Sequence, residues 1–125
     1  MKKILIVDDQ PIIRKMVRMV LKNYFALDEA ENGDSALEQI LVERPDGMVL
    51  DVMMPGNLNG FQLCERIKRD PALASIHVVL VTACAQVADQ ELGRAIGADA
   101  YFIKPFSPLA LVRHLTEALN GGPQI

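Results

Sequence analysis

The sequence predicts an α/β domain in which a five-stranded parallel sheet is covered by helices on both faces. Five short apolar runs alternate with five segments whose apolar residues recur at helical spacing. The run Ile4–Val7 is β-branched and continuous, which is typical of a strand buried on both faces. Strands that alternate with helices indicate β–α units and a parallel sheet. The length of 125 residues suits one such domain.

The strands and helices are each indicated by the local residue pattern. Strands are predicted where β-branched or aromatic residues run together between polar breaks. These segments are Ile4–Val7, Phe25–Ala30, Met48–Leu50, Val78–Val81 and Tyr101–Ile103. Helices are predicted where apolar residues recur every three or four positions. These segments begin at Pro11, Ala36, Phe61, Val87 and Leu109 and end near Lys22, Leu41, Ile67, Ile96 and Leu119.

Composition narrows the class of protein. The net charge is −3, and the chain lacks the clustered basic residues that are typical of nucleic-acid binding domains. Its two cysteines, Cys64 and Cys84, fit neither a zinc site nor a disulfide framework. No apolar run approaches the ~20 residues of a membrane span. We therefore expect a cytoplasmic protein without direct nucleic-acid or membrane contact. Its domain should cover residues 1–120, with 121–125 as a flexible tail or the start of a linker.

The residues directly after the predicted strands are unusually polar. The first strand is followed by Asp8 and Asp9, the third by Asp51, the fourth by Thr82 and the fifth by Lys104. Ligands of open parallel sheets bind beyond the carboxyl ends of the strands. We therefore expect three carboxylates, one hydroxyl and one ammonium group to meet at one rim of the sheet.

Such a cluster has a definite chemistry. Carboxylates in one cleft repel one another, and each raises the proton affinity of the others. A divalent cation relieves this repulsion, and an oxygen ligand set without histidine or thiolate favours Mg²⁺ over zinc. Asp51 can then act as a nucleophile toward a phosphoryl group. Lys104 would neutralise charge on the transferring oxygens, and Thr82 would donate a hydrogen bond to one of them.

Together these motifs resemble the receiver family of two-component response regulators. The matching segments are Asp8-Asp9, Asp51-Val52-Met53-Met54-Pro55-Gly56, Thr82-Ala83 and Lys104-Pro105. Each stands at the end of a predicted strand, and the resemblance spans nearly the whole chain. It implies a flavodoxin-like fold with strand order 2-1-3-4-5.

The resemblance also implies a role for each site residue. Asp51 corresponds to the phosphoacceptor, and Lys104 corresponds to the phosphate-pairing lysine, whose bond to the following Pro105 is often cis. The implied cofactor is Mg²⁺. Its implied ligands are the carboxylates of Asp8, Asp9 and Asp51 and the backbone carbonyl of Met53.

A receiver of this kind is a signalling switch that catalyses only its own phosphorylation and dephosphorylation. A histidine kinase or a phosphotransfer protein donates the phosphoryl group. Thr82 then moves toward the added charge, and Tyr101 turns into the vacated space. The face built from the fourth helix, fifth strand and fifth helix changes as a result. Its expected partners are therefore the donor and a downstream protein target or fused output domain, and a phosphorylation-dependent dimer is a further option.

One departure from the family spacing lies in the loop that covers the site. The segment Pro55–Gly60 is one residue longer than is usual before the glycine that opens the third helix. We expect this insertion to change the geometry of the loop and the lifetime of the phosphoryl group while the site itself is kept.

Each site residue also has an ordinary structural explanation. The aspartates could cap the first helix or face solvent, Thr82 could serve only its strand, and Lys104 could be a surface lysine. Tyr101 could simply pack against its neighbours. The basic residues of the first helix form either a solvated face or part of a docking surface. Convergence of the five polar residues at one rim favours the functional explanation for the set.

Three other functions compete with a signalling switch. An aspartyl-phosphate phosphatase typically needs an acid–base aspartate two positions after its nucleophile, where this chain has Met53. An FMN carrier needs a hydroxyl- and glycine-rich loop after the first strand, where Asp8 and Asp9 would repel the phosphate. A phosphorylation-independent interaction module stays open as the third alternative.

Overall fold

A computed structural model describes residues 1–83 and 85–121, in which five strands alternate with five helices. The strands are β1 (Lys3–Val7), β2 (Ala26–Ala30), β3 (Gly47–Asp51), β4 (His77–Thr82) and β5 (Ala100–Ile103). The helices are α1 (Pro11–Leu21), α2 (Gly33–Val42), α3 (Gly60–Arg69), α4 (Val87–Ala95) and α5 (Pro108–Asn120).

All paired strands run parallel, and their order in the sheet is β2-β1-β3-β4-β5. This confirms the predicted fold and strand order. β2 lies on one side of β1, and β3 lies on the other side. A cleft therefore opens at the carboxyl ends of β1 and β3, where their flanking connections diverge. The register places Val7 beside Leu50 and Asp51 beside Val81, so the ends of these strands lie level.

Two apolar cores cover the two faces of the sheet. Successive residues of a strand point to opposite faces, so the continuous apolar run of β1 supplies both cores. Leu5 and Val7 pack with residues of α2 and α3. Ile4 and Ile6 pack with residues of α1 and α5 on the other side. Burial on both faces explains why the strand sequence shows no alternation of polar and apolar residues.

The predicted elements are confirmed, and the differences lie at their ends. The second strand was predicted to begin at Phe25, but Phe25 lies just before β2. Its buried aromatic ring packs in the core, as strand residues often do. Gly97 follows α4 with φ of +97°, the left-handed conformation expected at a helix end. Among the described residues, no helix combines the length and apolar character needed to cross a membrane. Residues 122–125 of the predicted tail lie outside the described residues.

A polar network lies at the amino-terminal end of β4, away from the predicted site. Nε2 of His77 lies 2.8 Å from Nε2 of His114 on α5, a hydrogen bond between the two rings. Nδ1 of His77 faces the Asp99 carboxylate at 4.0 Å. That carboxylate accepts from the amide of Val78 and pairs with Lys68 of α3, each at 2.8 Å. Burial lowers the pKa of His77 below its ordinary 6.5, His114 and Lys68 act in the same direction, and Asp99 opposes them.

We expect His77 to make the fold sensitive to acid. A histidine with a depressed pKa is held neutral, so its contribution to stability is present above pH 6.5 and is lost as the pH falls below that value. Urea unfolding should show that the free energy of unfolding falls more between pH 7.5 and a pH below 6.5 for the wild type than for His77→Gln. Equal losses in the two proteins would contradict this prediction.

Candidate functional site

The carboxyl ends of the strands bring the predicted acidic residues together. Asp8 follows β1, and Asp51 is the last residue of β3. Carboxylate oxygens of Asp8, Asp9 and Asp51 lie within 4.8 Å of one another, the only cluster of possible metal ligands found among the described residues. Asp8 and Asp51 are buried, whereas Asp9 is exposed. Three carboxylate oxygens at this spacing form a donor set that fits a hard divalent cation such as Mg²⁺.

Lys104 supplies the positive charge of the site. Its Nζ lies 3.3 Å from Oδ2 of Asp8 and 3.6 Å from Oδ1 of Asp51. The backbone amide of Lys104 donates to the carbonyl of Thr82 at 2.8 Å, and this bond ties the end of β5 to the end of β4. The peptide bond to Pro105 is cis, as the resemblance implied.

The ionisation of Asp51 is strongly perturbed by this environment. Burial and, next, repulsion from Asp8 raise the pKa of Asp51 from 3.8 to about 6. Lys104 and the amide of Met53, which donates to Oδ1 of Asp51 at 3.3 Å, act in the opposite direction. A carboxyl group with a raised pKa in a cleft is a candidate for a functional site.

Asp8 is held in place from several sides, and it does not cap α1. The amide of Gln10 donates to Oδ1 of Asp8 at 2.8 Å, and Gln10 itself is the N-cap residue of α1, without a side-chain cap. Pro11 occupies the first turn, as predicted. The explanation of the two aspartates as helix caps is therefore wrong. The amide hydrogen bond orients the Asp8 carboxylate toward the cleft instead.

The basic residues of α1 are not simply a solvated face. Arg14 and Arg18 lie one turn apart and both pair with Glu29 of β2, at 3.0 and 2.7 Å. These hydrogen bonds outweigh burial and hold the pKa of Glu29 below its ordinary value. Arg14 also donates to the carbonyl of Asp8 at 2.7 Å. This link to the site was missed by the sequence analysis, although the four-residue spacing of the arginines was visible.

The two predicted switch residues lie on neighbouring strands. Thr82 is the last residue of β4 and is fully buried, one position beyond the strand neighbour of Asp51. Tyr101 lies on β5 beside Leu80 and is half-buried. Its ring lies so close to Gly93 of α4 that a Cβ on that glycine would come within 2.9 Å of it. Cys84, which follows Thr82 by two residues, lies outside the described residues.

The long loop after β3 closes back onto the end of that strand. The amide of Gly60 donates to the carbonyl of Val52 at 2.9 Å. A Cβ at Gly60 would meet the carbonyl of Asp51 and the Cα of Val52, so the close approach of α3 requires glycine here. Asn59 and Gln62 form a reciprocal capping box that fixes the start of α3. The additional loop residue is therefore accommodated between two anchored ends.

Comparison with known proteins places this architecture in a family. The family model of the response regulator receiver domain matches residues 4–116. The chain belongs to this family. Receivers are signalling domains of two-component response regulators, and they generally bind Mg²⁺ at an acidic cluster like the one described above.

Curated relatives of this receiver are transcriptional regulators. ResD of Bacillus subtilis is 38% identical over 123 residues, which cover 98% of this chain and 50% of ResD. The phosphate regulon regulator PhoB of Escherichia coli is 42% identical over 120 residues, which cover 95% of this chain and 52% of PhoB. The chain thus spans about half the length of the curated relatives that it matches.

Solved receiver structures share the whole fold. The BeF3-activated receiver domain of DrrB, a Thermotoga maritima protein, has a TM-score of 0.88 at 31% identity, covering 96% of this chain and 98% of that chain. The chemotaxis protein CheY4 of Vibrio cholerae has a TM-score of 0.86 at 29% identity, covering 95% of this chain and 99% of that chain.

The raised pKa of Asp51 predicts that, in the absence of metal ions, Asp51→Asn is more stable than the wild type to an extent that depends on pH. A buried carboxyl group with a raised pKa resists ionisation, so the wild type loses stability as the pH rises from 3.8 through about 6. With a chelator present at pH 7.5, the free energy of unfolding of the variant should exceed that of the wild type by about 1–3 kcal/mol. This difference should shrink toward pH 4. Urea unfolding across this pH range measures it.

The exposed Asp46→Asn variant is the control for this measurement and should show no comparable gain. A gain for Asp51→Asn that is the same at every pH would contradict the assignment, because the effect would then not arise from ionisation.

Proposed function

We propose that this receiver accepts a phosphoryl group on Asp51, with Mg²⁺ bound at the acidic cluster. The observation that carries the proposal is the position of the Lys104 ammonium group, 3.3 Å from Asp8 and 3.6 Å from Asp51. A cation there can pair with a phosphoryl oxygen once Asp51 is modified. The proposed metal ligands are the carboxylates of Asp8, Asp9 and Asp51 and the backbone carbonyl of Met53.

The proposed reaction is an in-line displacement at phosphorus. An oxygen of the ionised Asp51 carboxylate forms a bond to phosphorus, and the bond from phosphorus to the donor's histidine nitrogen breaks. A bound Mg²⁺ supplies positive charge that favours the ionised carboxylate and neutralises phosphoryl oxygens. Lys104 exchanges its contact with Asp51 for one with the new phosphoryl group. Positioning and electrostatics therefore do most of the catalysis.

The proposed consequence of phosphorylation is a change in the α4–β5–α5 face. Thr82 would donate a hydrogen bond to the added phosphoryl group, and Tyr101 would turn inward from its half-buried position beside α4. Val87 and Leu92 of α4 are 68% and 46% exposed, so this face already offers apolar surface to a partner. We propose that a downstream protein, a fused output domain or a second receiver uses it when the phosphorylated state is favoured.

The proposed partners follow from the family and from the relatives. The donor would be a histidine kinase or a phosphotransfer protein. Because ResD and PhoB are regulatory proteins of transcription, we propose a cytoplasmic setting in which any contact with DNA is made by an output domain. A phosphatase acting on other substrates is disfavoured, because Met53 occupies the place of its acid–base aspartate.

Phosphorylation by a small donor tests the proposal directly. Incubation with acetyl phosphate and Mg²⁺ should add one phosphoryl group to the wild type, as measured by intact mass under conditions that preserve acyl phosphates. Chelation of the metal or the change Asp51→Asn should abolish the adduct while the fold is kept. An adduct that persists in Asp51→Asn would exclude Asp51 as the phosphoacceptor, and a folded wild type without any adduct would favour the interaction module.

Two further variants separate metal binding from phosphoryl binding. Asp9→Ala should weaken Mg²⁺ binding by at least about tenfold, because a charged ligand is lost. Lys104→Ala should bind Mg²⁺ at least as well as the wild type, because a competing cation is removed, yet its response to phosphorylation should be impaired. Titration calorimetry with Mg²⁺ gives the affinities, and unchanged binding by Asp9→Ala would count against the metal assignment.

A further inference from the structure

We propose that Arg14 is a positioning residue for this site, which holds the two acidic residues after β1 through their shared peptide group. The inference rests on the proposed function, since it assigns Arg14 a part in Mg²⁺ binding by Asp8 and Asp9. Arg14 would not touch the metal or the phosphoryl group itself.

Every polar group of Asp8 has a partner. Of its two backbone groups, the amide binds another backbone group and the carbonyl binds a side chain. Its amide donates to the carbonyl of Ala30 at 3.2 Å. Its carboxylate accepts from Gln10 and from Lys104 at 2.8 and 3.3 Å. Its carbonyl accepts from Nη1 of Arg14 at 2.7 Å. The arginine thus provides the contact that fixes the carbonyl side of Asp8.

The carbonyl of Asp8 belongs to the planar peptide group that joins Asp8 to Asp9. Fixing its oxygen fixes the plane, and therefore fixes the direction in which the chain enters Asp9. Among the described residues, no hydrogen bond or ion pair holds the carboxylate of Asp9, which is exposed. The placement of this carboxylate therefore depends on the backbone before it, and Arg14 controls that backbone.

Arg14 is itself held in one orientation. Its Nε donates to Oε1 of Glu29 at 3.0 Å, while its Nη1 reaches the carbonyl of Asp8. Arg18 occupies the other carboxylate oxygen of Glu29 at 2.7 Å. The Arg14 side chain is only 16% exposed, against 41% for Arg18. A planar guanidinium group can make both contacts at fixed angles, whereas a lysine ammonium group is a single point of charge.

The neighbouring Arg18 offers a matched control. It shares the Glu29 partner and lies on the same helix, but its second contact is the carbonyl of Leu27 at 3.4 Å rather than that of Asp8. Loss of Arg18 therefore removes an ion pair of the same kind without releasing the peptide group between the acidic residues.

The test compares Arg14→Met, Arg14→Lys and Arg18→Met in the full 125-residue chain. Mg²⁺ dissociation constants are measured by titration calorimetry, and phosphorylation by acetyl phosphate is followed as a function of Mg²⁺ concentration. Both Arg14 variants should weaken Mg²⁺ binding several-fold, up to the roughly tenfold effect of losing an outer contact of a metal ligand. Arg18→Met should bind Mg²⁺ as the wild type does. Saturating Mg²⁺ should restore most of the phosphorylation rate of the Arg14 variants.

Urea unfolding in chelator separates positioning from a purely structural role. If the Arg14 variants lose stability but keep the wild-type Mg²⁺ affinity, or if Arg18→Met weakens Mg²⁺ binding equally, the positioning role is overturned. If Arg14→Met does not fold, Arg14→Lys decides the question, because it keeps the charge and the length. A wild type that neither binds Mg²⁺ nor accepts a phosphoryl group overturns the proposed function itself, a result distinct from any difference among the variants.

Discussion

Repulsion between two buried carboxylates, those of Asp8 and Asp51, is the constraint on which the rest of the site depends. Buried like charges are costly unless another charge compensates for them. Lys104 compensates in part, yet burial and, next, repulsion from Asp8 raise the pKa of Asp51 to about 6. These charges therefore favour the uptake of a cation or a proton at the site. A destabilising pair of this kind is typical of functional sites rather than of structural ones.

The parallel sheet allows this repulsion to be maintained. Asp51 ends β3 and Asp8 directly follows β1. Both strands are buried on both faces, and their hydrogen-bonded register keeps Val7 level with Leu50. Side chains on rigid elements stay in place under electrostatic stress that would displace a loop. Two of the contacts from outside the sheet, those of Gln10 and Arg14 with Asp8, act on the short turn after β1. The proposed chemistry thus depends on the framework and on this turn together.

The two ends of the sheet carry different groups of polar residues. The carboxyl end collects acidic residues and Lys104 around the proposed reaction. The amino-terminal end of β4 holds the pair His77 and His114 together with Asp99, a network that joins α5 to the sheet. Because α5 forms part of the face proposed to contact partners, the stability of this distant network bears on how firmly that face is held. The chain spans about half the length of the curated relatives that it matches.

The alternation of strands and helices and the polar residue at each strand end could be predicted from the sequence. Both follow from local residue type and spacing, and parallel topology alone brings strand ends such as Asp8 and Asp51 to one rim. The pairing of Arg14 with the carbonyl of Asp8, and of His77 with His114, could not be predicted. The two histidines lie 37 residues apart in the sequence. Arg14 lies only six residues from Asp8, but its orientation depends on Glu29 of β2, 15 residues away. The sequence by itself determined which chemical groups reach the site, because residue type and period are local properties. Only the tertiary structure decided which groups hold them there, because side chains such as Arg14 are oriented by partners on other elements.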